Sequence, residues 1–488
     1  MNSTGTVSRR AFLASAPVLA GLARPSAPGM AALRREIVES PVGVALHRAR
    51  VFTRVFRANE DKPWIERKAM AMREYFRTVP LYRREHDRIA GSITETPGAM
   101  PLIVEVGIGE NSIYTGENPK RKGYFKGQVP AEIWDYWLER NLWGRFRAAN
   151  PGAQAPRGPD AGANYKFICN QGHLSPSYGE LLRVGIGGLI KKVAARRSGE
   201  KDPEKLAFLN AADHSLEGLR EWARRYGEFL GRQAALRDDA RLAAELREMS
   251  DIAWKVSEEP PATFREALQL IWFAHQAVHI EGHGYSCTPD HIDQLLYPYY
   301  AADRKAGRID DRETLALCEN LVLKMYDNTF WGPEHHLTQG LCLGGSTPEG
   351  KDLANRLSWL FLEGGTNLAL PEPLIWIRWH KNIDQEFFDF ALSRIARHTC
   401  FPLMWNDEAV PAGLMELGVS REDACNYIAV GCNELAIPGQ FYFNPAAHVN
   451  YLGSIQKALE SAAPAFDGFA AAFGKQLRAS IRTRSLTA

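Results

Sequence analysis

Asp423-Ala424-Cys425-Asn426-Tyr427-Ile428-Ala429-Val430-Gly431-Cys432-Asn433-Glu434 is the stretch on which the reading of this chain turns. Residues 427–430 are apolar and partly β-branched, the composition of a short buried strand. Gly431 ends the run, and a loop containing Pro438, Gly439, Phe441 and Phe443 follows. A strand end that opens into a loop places side chains at the rim or floor of a cavity, where catalytic groups commonly sit. The Cys432 sulfur can act there as nucleophile or hydrogen-atom donor, and the Glu434 carboxylate as general base. The same residues also read as a buried structural cysteine, because free cysteine is among the most buried residue types.

Two further apolar runs share this character, Leu341-Cys342-Leu343-Gly344-Gly345 and Pro373-Leu374-Ile375-Trp376-Ile377-Arg378. Helical patterns over 352–363 and 385–398 stand among them. Short buried strands alternating with helices predict an α/β architecture, a mixed barrel or a layered sheet. Earlier in the chain, three- and four-residue spacing of apolar residues predicts helices over 33–88, 178–196, 203–250, 261–281 and 311–328. Residues 101–107 read as a short strand or buried extended segment, and 150–163 as a Gly/Pro/Ala-rich loop. The charge-rich stretch 217–251 reads as a solvated helix face. No repeat or linker interrupts residues 33–488, which read as one domain.

The 488 residues are 45% hydrophobic and 24% charged, as in soluble globular proteins. A net charge of +2 without a basic run gives no case for nucleic-acid binding. Seven scattered cysteines form no CxxC, so a disulfide framework is not indicated and at least one thiol is free. Ser8-Arg9-Arg10-Ala11-Phe12-Leu13 has the form of a twin-arginine export signal, followed by an apolar stretch over 14–23 and small residues to about 32. Residues 1–32 are therefore expected to be a leader and the mature chain periplasmic, or cytoplasmic if the signal is unused. No later apolar run is long enough for a membrane span.

His275, His279 and His283 recur at four-residue spacing, with Glu281 among them. On a helix His275 and His279 share a face and could hold a metal. The pattern is not HExxH, and ordinary helix histidines, one of them lining a pocket, are the alternative. The aromatic run Phe441-Tyr442-Phe443 lines a pocket or fills core.

The segment 423–434 resembles the cysteine loop of the pyruvate formate-lyase family, closest to the glycerol, diol and choline eliminases, whose loop reads G-C-V-E. Pyruvate formate-lyase itself has two adjacent cysteines there. Gly172-His173-Leu174-Ser175-Pro176-Ser177-Tyr178 resembles the family's G-H-x-x-P-D-Y pocket segment. Glu281-Gly282-His283-Gly284-Tyr285-Ser286 resembles E-x-N-G-H-S, and residues 293–300 resemble D-Q-x-x-Y-P-Y-Y. Leu343-Gly344-Gly345, Asn355, Glu363, Arg378 and Pro402 through Asn406-Asp407-Glu408 fall in family order, so the likeness spans about 45–460.

The resemblance implies a glycyl-radical-enzyme-type α/β barrel, here a half or incomplete one, surrounded by helices. It implies that Cys432 carries a thiyl radical and that Glu434 deprotonates the substrate hydroxyl. His173, His283 and Ser286 would contact a small-molecule substrate, with Phe443 and Asn444 beside it. The chemistry implied is C–O, C–N or C–C cleavage. No tightly bound cofactor is expected. The glycyl radical would be supplied by another segment or chain and installed by a radical SAM activase.

Three departures stand out. No segment reads R-V-x-G followed by Tyr, Trp or Phe, and only 56 residues follow Cys432. The family's G-R-x-D-Q is Asp290-His291-Ile292-Asp293-Gln294 here, without the arginine. The acidic residue that eliminases carry after the cysteine loop falls near Asn444 and Pro445. The expectation is thus the front portion of such a domain, with an exposed strand edge or apolar patch. It would be completed by a second polypeptide or by self-association as a homo-oligomer. Export weighs against radical chemistry, since oxygen destroys a glycyl radical and the activase is cytoplasmic. The alternatives are a degenerate, non-radical small-molecule binding protein or gene fragment, and a metal hydrolase using His275 and His279.

Overall fold

The computed structural model describes residues 23–41, 43–106, 129–149, 163–164, 172–282, 286–327, 339–398, 401–431, 434–442, 448–449, 451–460 and 468–476. Two compact units divide the chain, one from Met1–Leu138 with Gly172–Phe443, the other from Glu139–Gln171 with Asn444–Ala488. The smaller unit contains a helix over Leu142–Ala149, a helix over Tyr451–Glu460 and an antiparallel pairing of β3 (Ala163–Asn164) with the strand His448–Val449.

The larger unit begins with α1 (Pro28–Glu39), whose proline at the first turn needs no hydrogen-bond partner for a missing N–H. β1 (Gly43–Ala45) pairs in parallel with β2 (Ala99–Pro101). Between them lie α2 (His47–Ala58) and α3 (Trp64–Thr78). The sequence placed this strand at 101–107. The structure ends it at Pro101, and 102–106 form buried, largely turning backbone.

The short helix α4 (Ala131–Trp137) follows and then, in the larger unit's second segment, the long helices α5 (Gly179–Ser198), α6 (Pro203–Ala235) and α7 (Ala240–Val256). The stretch 203–250 read as continuous helix is two helices. Asp239 accepts from the backbone N–H groups of Arg241 and Leu242 and starts α7 as a new element. Apolar spacing along α6 buries Leu219, Trp222, Ala223, Tyr226 and Leu230. At Gly218, a Cβ would meet Arg73 Cα and the Phe76 ring at 2.9 Å, so α3 and α6 approach closely only because this residue is glycine.

Helices α8 (Phe264–Gly282), α9 (Ile292–Lys305) and α10 (Asp311–Asp327) lead to the α/β part. There β4 (Gly340–Gly344), α11 (Arg356–Asn367), β5 (Leu374–Trp379), α12 (Gln385–His398) and β6 (Leu403–Asn406) form two βαβ crossovers. The sheet is parallel in the order β4-β5-β6, with Cys342 opposite Trp376 and Arg378 opposite Trp405. Helices α13 (Val410–Glu416) and α14 (Arg421–Cys425) precede an antiparallel sheet of β7 (Ile428–Val430), β8 (Glu434–Ile437) and β9 (Phe441–Tyr442). Cys342, Trp376, Ile428, Ala429, Val430 and Ala436 pack into one buried cluster that joins the two sheets.

The fold is thus α/β, helix-rich, with the parallel strands open at β4 and β6 among the described residues. An incomplete barrel within helices was the expectation, and this is its observed form. β4 is buried along its whole length, whereas β6 alternates and leaves Met404 37% exposed.

Candidate functional site

Arg378, in β5, is fully buried and organises the approach to the cysteine loop. Its Nε and Nη2 donate to the two carboxylate oxygens of Asp407 at 3.0 and 2.9 Å. Nη1 donates to the Tyr427 carbonyl at 3.1 Å and Nη2 to that of Cys425 at 2.7 Å. The guanidinium also lies 4.2 Å from the centre of the Tyr427 ring. The Tyr427 hydroxyl donates to Asp407 at 2.7 Å, and burial pushes its pKa up, so it stays a donor. Ser346 closes the set by donating its N–H and hydroxyl to Asp407. One cation–carboxylate pair therefore ties the end of β5, the turn after β4 and the entry to β7 together, with its charges paired and hydrogen-bonded as burial requires.

β7 and β8 form a tight hairpin in which Val430 faces Glu434. Gly431 has φ +61°, a left-handed conformation that glycine adopts without cost. A Cβ there would collide with the Glu434 carboxylate and stand 3.0 Å from the His173 ring. His173 Nε2 and Glu434 Oε1 are 3.8 Å apart, with side chains 5% and 14% exposed. The two groups are thus packed against the backbone immediately before Cys432.

Backbone bonds hold three chain segments at this place. Gly439 N–H donates to the Ser175 carbonyl at 2.9 Å, and Thr288 N–H to the Leu174 carbonyl at 3.3 Å. Thr288 Oγ1 donates to the Ala429 carbonyl of β7 at 2.9 Å. Asp290 N–H donates to Ser175 Oγ at 3.1 Å, and Tyr178 N–H to the Asp290 carboxylate at 3.2 Å. Ser286, two residues before Thr288, is fully buried in the left-handed region. The structure therefore brings His173 and Glu434 together and puts Ser286 on a strand-linked segment of the same cluster. Cys432, His283, Phe443 and Asn444 lie outside the described residues.

His275 and His279 are buried on α8 with their Nε2 atoms 3.1 Å apart. Gln339 donates its amide to the Met325 carbonyl, which turns its Oε1 toward His275 Nε2 at 3.0 Å. With that assignment His275 donates from Nε2, and its Nδ1 accepts from the Tyr178 hydroxyl at 3.1 Å. No lone pair of His275 is left for a metal in this arrangement, and among the described residues no third His, Cys, Asp or Glu completes a metal cluster. Burial pushes His275 down to about 4. Burial and the neighbouring His275 push His279 well down, so both imidazoles are neutral at pH 7.

His291, where the family pattern has arginine, is buried and donates from Nε2 to the Asn426 carbonyl at 3.3 Å. Burial and then the Arg378 charge push it down to about 4. Through its bond to Asn426 it supports the chain entering β7. Asp293 accepts from Gly344 N–H at 2.9 Å and the Ser358 hydroxyl at 2.6 Å, and burial pushes its carboxyl up to about 6. Thr288, Gln339 and the hydroxyl of Tyr178 were not singled out by sequence reasoning. Each acts through a partner at least 14 residues away, so no local spacing signals it.

Comparison with protein-family models matches residues 26–482 to the family described as pyruvate formate lyase-like. Among curated proteins, the chain is 27% identical over 458 residues to (2S)-3-sulfopropanediol dehydratase of Klebsiella oxytoca, covering 87% of this chain and 55% of that protein. Among solved structures it is similar to the glycerol-bound B12-independent glycerol dehydratase from Clostridium butyricum, with TM-score 0.80, 25% identity, and coverage of 94% and 63%. A glycyl radical enzyme from Archaeoglobus fulgidus gives TM-score 0.76 at 25% identity, with coverage of 88% and 58%. The chain spans about half the length of the curated relative it matches. The chain belongs to the pyruvate formate lyase-like family.

Proposed function

We propose that this chain is the cysteine-bearing part of a radical lyase that cleaves a C–O, C–N or C–C bond in a small hydroxylated compound. The observation that carries this reading is the packing of Glu434 and His173 against Gly431, directly beside Cys432. In the proposed reaction the Cys432 sulfur, as thiyl, takes a hydrogen atom from a substrate C–H bond and becomes a thiol. Glu434 accepts the proton of the adjacent hydroxyl as the leaving group departs. Cys432 then returns its hydrogen atom to the product carbon. His173 and Ser286 orient the substrate, with His283, Phe443 and Asn444 as the remaining expected contacts. Similarity to a dehydratase of a sulfonated diol and to a glycerol dehydratase supports a vicinal hydroxylated substrate.

The glycyl radical that starts the cycle comes from a complementing segment or second chain, charged by a radical SAM activase. The open edges of the parallel sheet are where completing strands would pair. The test is anaerobic reconstitution with an activase and a polypeptide carrying the R-V-x-G motif, assayed on 1,2-diols by product analysis. Turnover that disappears in Cys432→Ser and Glu434→Gln is expected. Turnover that survives Cys432→Ser sinks the proposal.

Export by the twin-arginine route, read from residues 8–13, is a separate proposal that does not rest on the radical chemistry. No described helix is long and apolar enough to cross a membrane.

A further inference from the structure

Small residues recur from Ala20 to Ala32, and sequence alone allows a leader peptidase to cut at several of them. The fold constrains the choice. Glu319, on α10, is fully buried, and Ser26 is its principal hydrogen-bond donor. Ser26 N–H donates to both carboxylate oxygens at 2.9 and 3.0 Å, and its hydroxyl donates at 2.7 Å. Asn367 adds a longer bond of 3.4 Å. Arg24 N–H donates to the Asn367 carbonyl at 2.7 Å. Arg34 Nε donates to the Leu368 carbonyl at 2.6 Å, so the strap and α1 together cover the C-terminal end of α11. Met30 and Leu33 of α1 are part of the main core.

We propose that the leader is cut upstream of Pro25, with the bond between Ala23 and Arg24 as the site, and that residues 24–39 remain as a built part of the mature domain. This rests on the export reading above. Gly21 and Ala23 supply the small residues that a leader peptidase reads three and one positions before its cut. Arg24 is exposed, whereas Ser26 is already half-buried in its contact with Glu319. Hydrolysis of the Ala23–Arg24 bond adds one water, leaving a carboxylate on Ala23 and an α-ammonium on Arg24. That ammonium still donates to the Asn367 carbonyl, and it lies at the C-terminal end of α11, where positive charge is favoured. A cut after Ala27, Ala31 or Ala32 removes Ser26 and leaves the buried Glu319 carboxylate without its main donors, a configuration that burial penalises heavily.

The experiment is expression of the full chain in a host with an intact twin-arginine translocon, fractionation, and intact-mass measurement of the exported protein. A first residue of Arg24 is expected. Any other first residue, or an uncleaved chain, overturns the proposal. The Arg9→Lys/Arg10→Lys double variant separates the two readings. If it fractionates as the wild type does, the export reading has failed. If it alone is retained while wild type is cut beyond Ser26, only the present inference has failed. Ser26→Ala in the exported protein is expected to lower the melting temperature by a few degrees, and an unchanged melting temperature counts against the strap.

Discussion

Gly431 is the residue on which the proposed chemistry depends most closely. Its positive φ and the absence of a Cβ let Glu434 and His173 close on the backbone next to Cys432. Gly431→Ala should destabilise the chain by about 1–3 kcal/mol, the usual cost of a strained backbone position, and should abolish reconstituted turnover even in the fraction that folds. Urea unfolding and the diol assay together check this. His275 gives a prediction of a different kind. Its folded pKa, pushed down to about 4, lies below the unfolded value near 6.5, so the native state binds fewer protons than the unfolded state between those values. Its neutral form therefore costs nothing above pH 6.5, and stability is lost as pH falls from there toward 4. At pH 5.5 this term should reach about 1.4 kcal/mol. The stability advantage of wild type over His275→Gln should shrink by that amount between pH 7.5 and 5.5, and an advantage independent of pH would show that the imidazole is not held neutral.

Among elements, the latch between β5 and the entry to β7 is the joint that places the cysteine hairpin. Tyr427→Phe removes one hydrogen bond to a buried carboxylate and should cost about 1.5–3 kcal/mol. Arg378→Leu leaves Asp407 buried without its cation and should cost about 3–5 kcal/mol. Chemical denaturation measures both, and the larger loss for the arginine variant is the discriminating result. A second joint ends α8. Arg48 is fully buried against Glu105 and donates to the Ile280 carbonyl at 2.7 Å and the Glu281 carbonyl at 3.2 Å. It fixes the helix end from which the 283–286 segment departs. Arg48→Met should raise hydrogen exchange selectively in 279–290 before it affects α6 or α7; uniform exchange throughout would mean that the pair merely stabilises the whole unit.

For the whole molecule, the open parallel sheet is the consequential feature. β6 presents backbone and Met404 at an edge that no described strand covers. Unpaired strand edges favour pairing with another chain. The isolated protein should therefore self-associate in a concentration-dependent way, and Met404→Lys should reduce that association without lowering the melting temperature. Sedimentation velocity over a hundredfold range of concentration reads this directly, and a monomer throughout would remove the edge as the cause.

The family and its fold class were legible in the sequence because they are written in local order: the G-C-N-E segment, the short apolar runs and the D-Q-L-L-Y-P-Y-Y stretch each carry their pattern within a dozen residues. The division of 203–250 into two helices was less plain, since the capping role of Asp239 competes with a continuous helical composition around it. The candidate pair His173 and Glu434 was named from motifs, but their approach across 260 intervening residues is a tertiary fact. So are the contacts of Arg378 with Cys425 and Tyr427, of Tyr178 with His275, and of Ser26 with Glu319. Periodicity and motif order reflect the chain's local geometry and determined the elements and the family. Burial joins residues far apart in the chain and forces each polar group to find a partner, so only the folded structure decided which side chains meet.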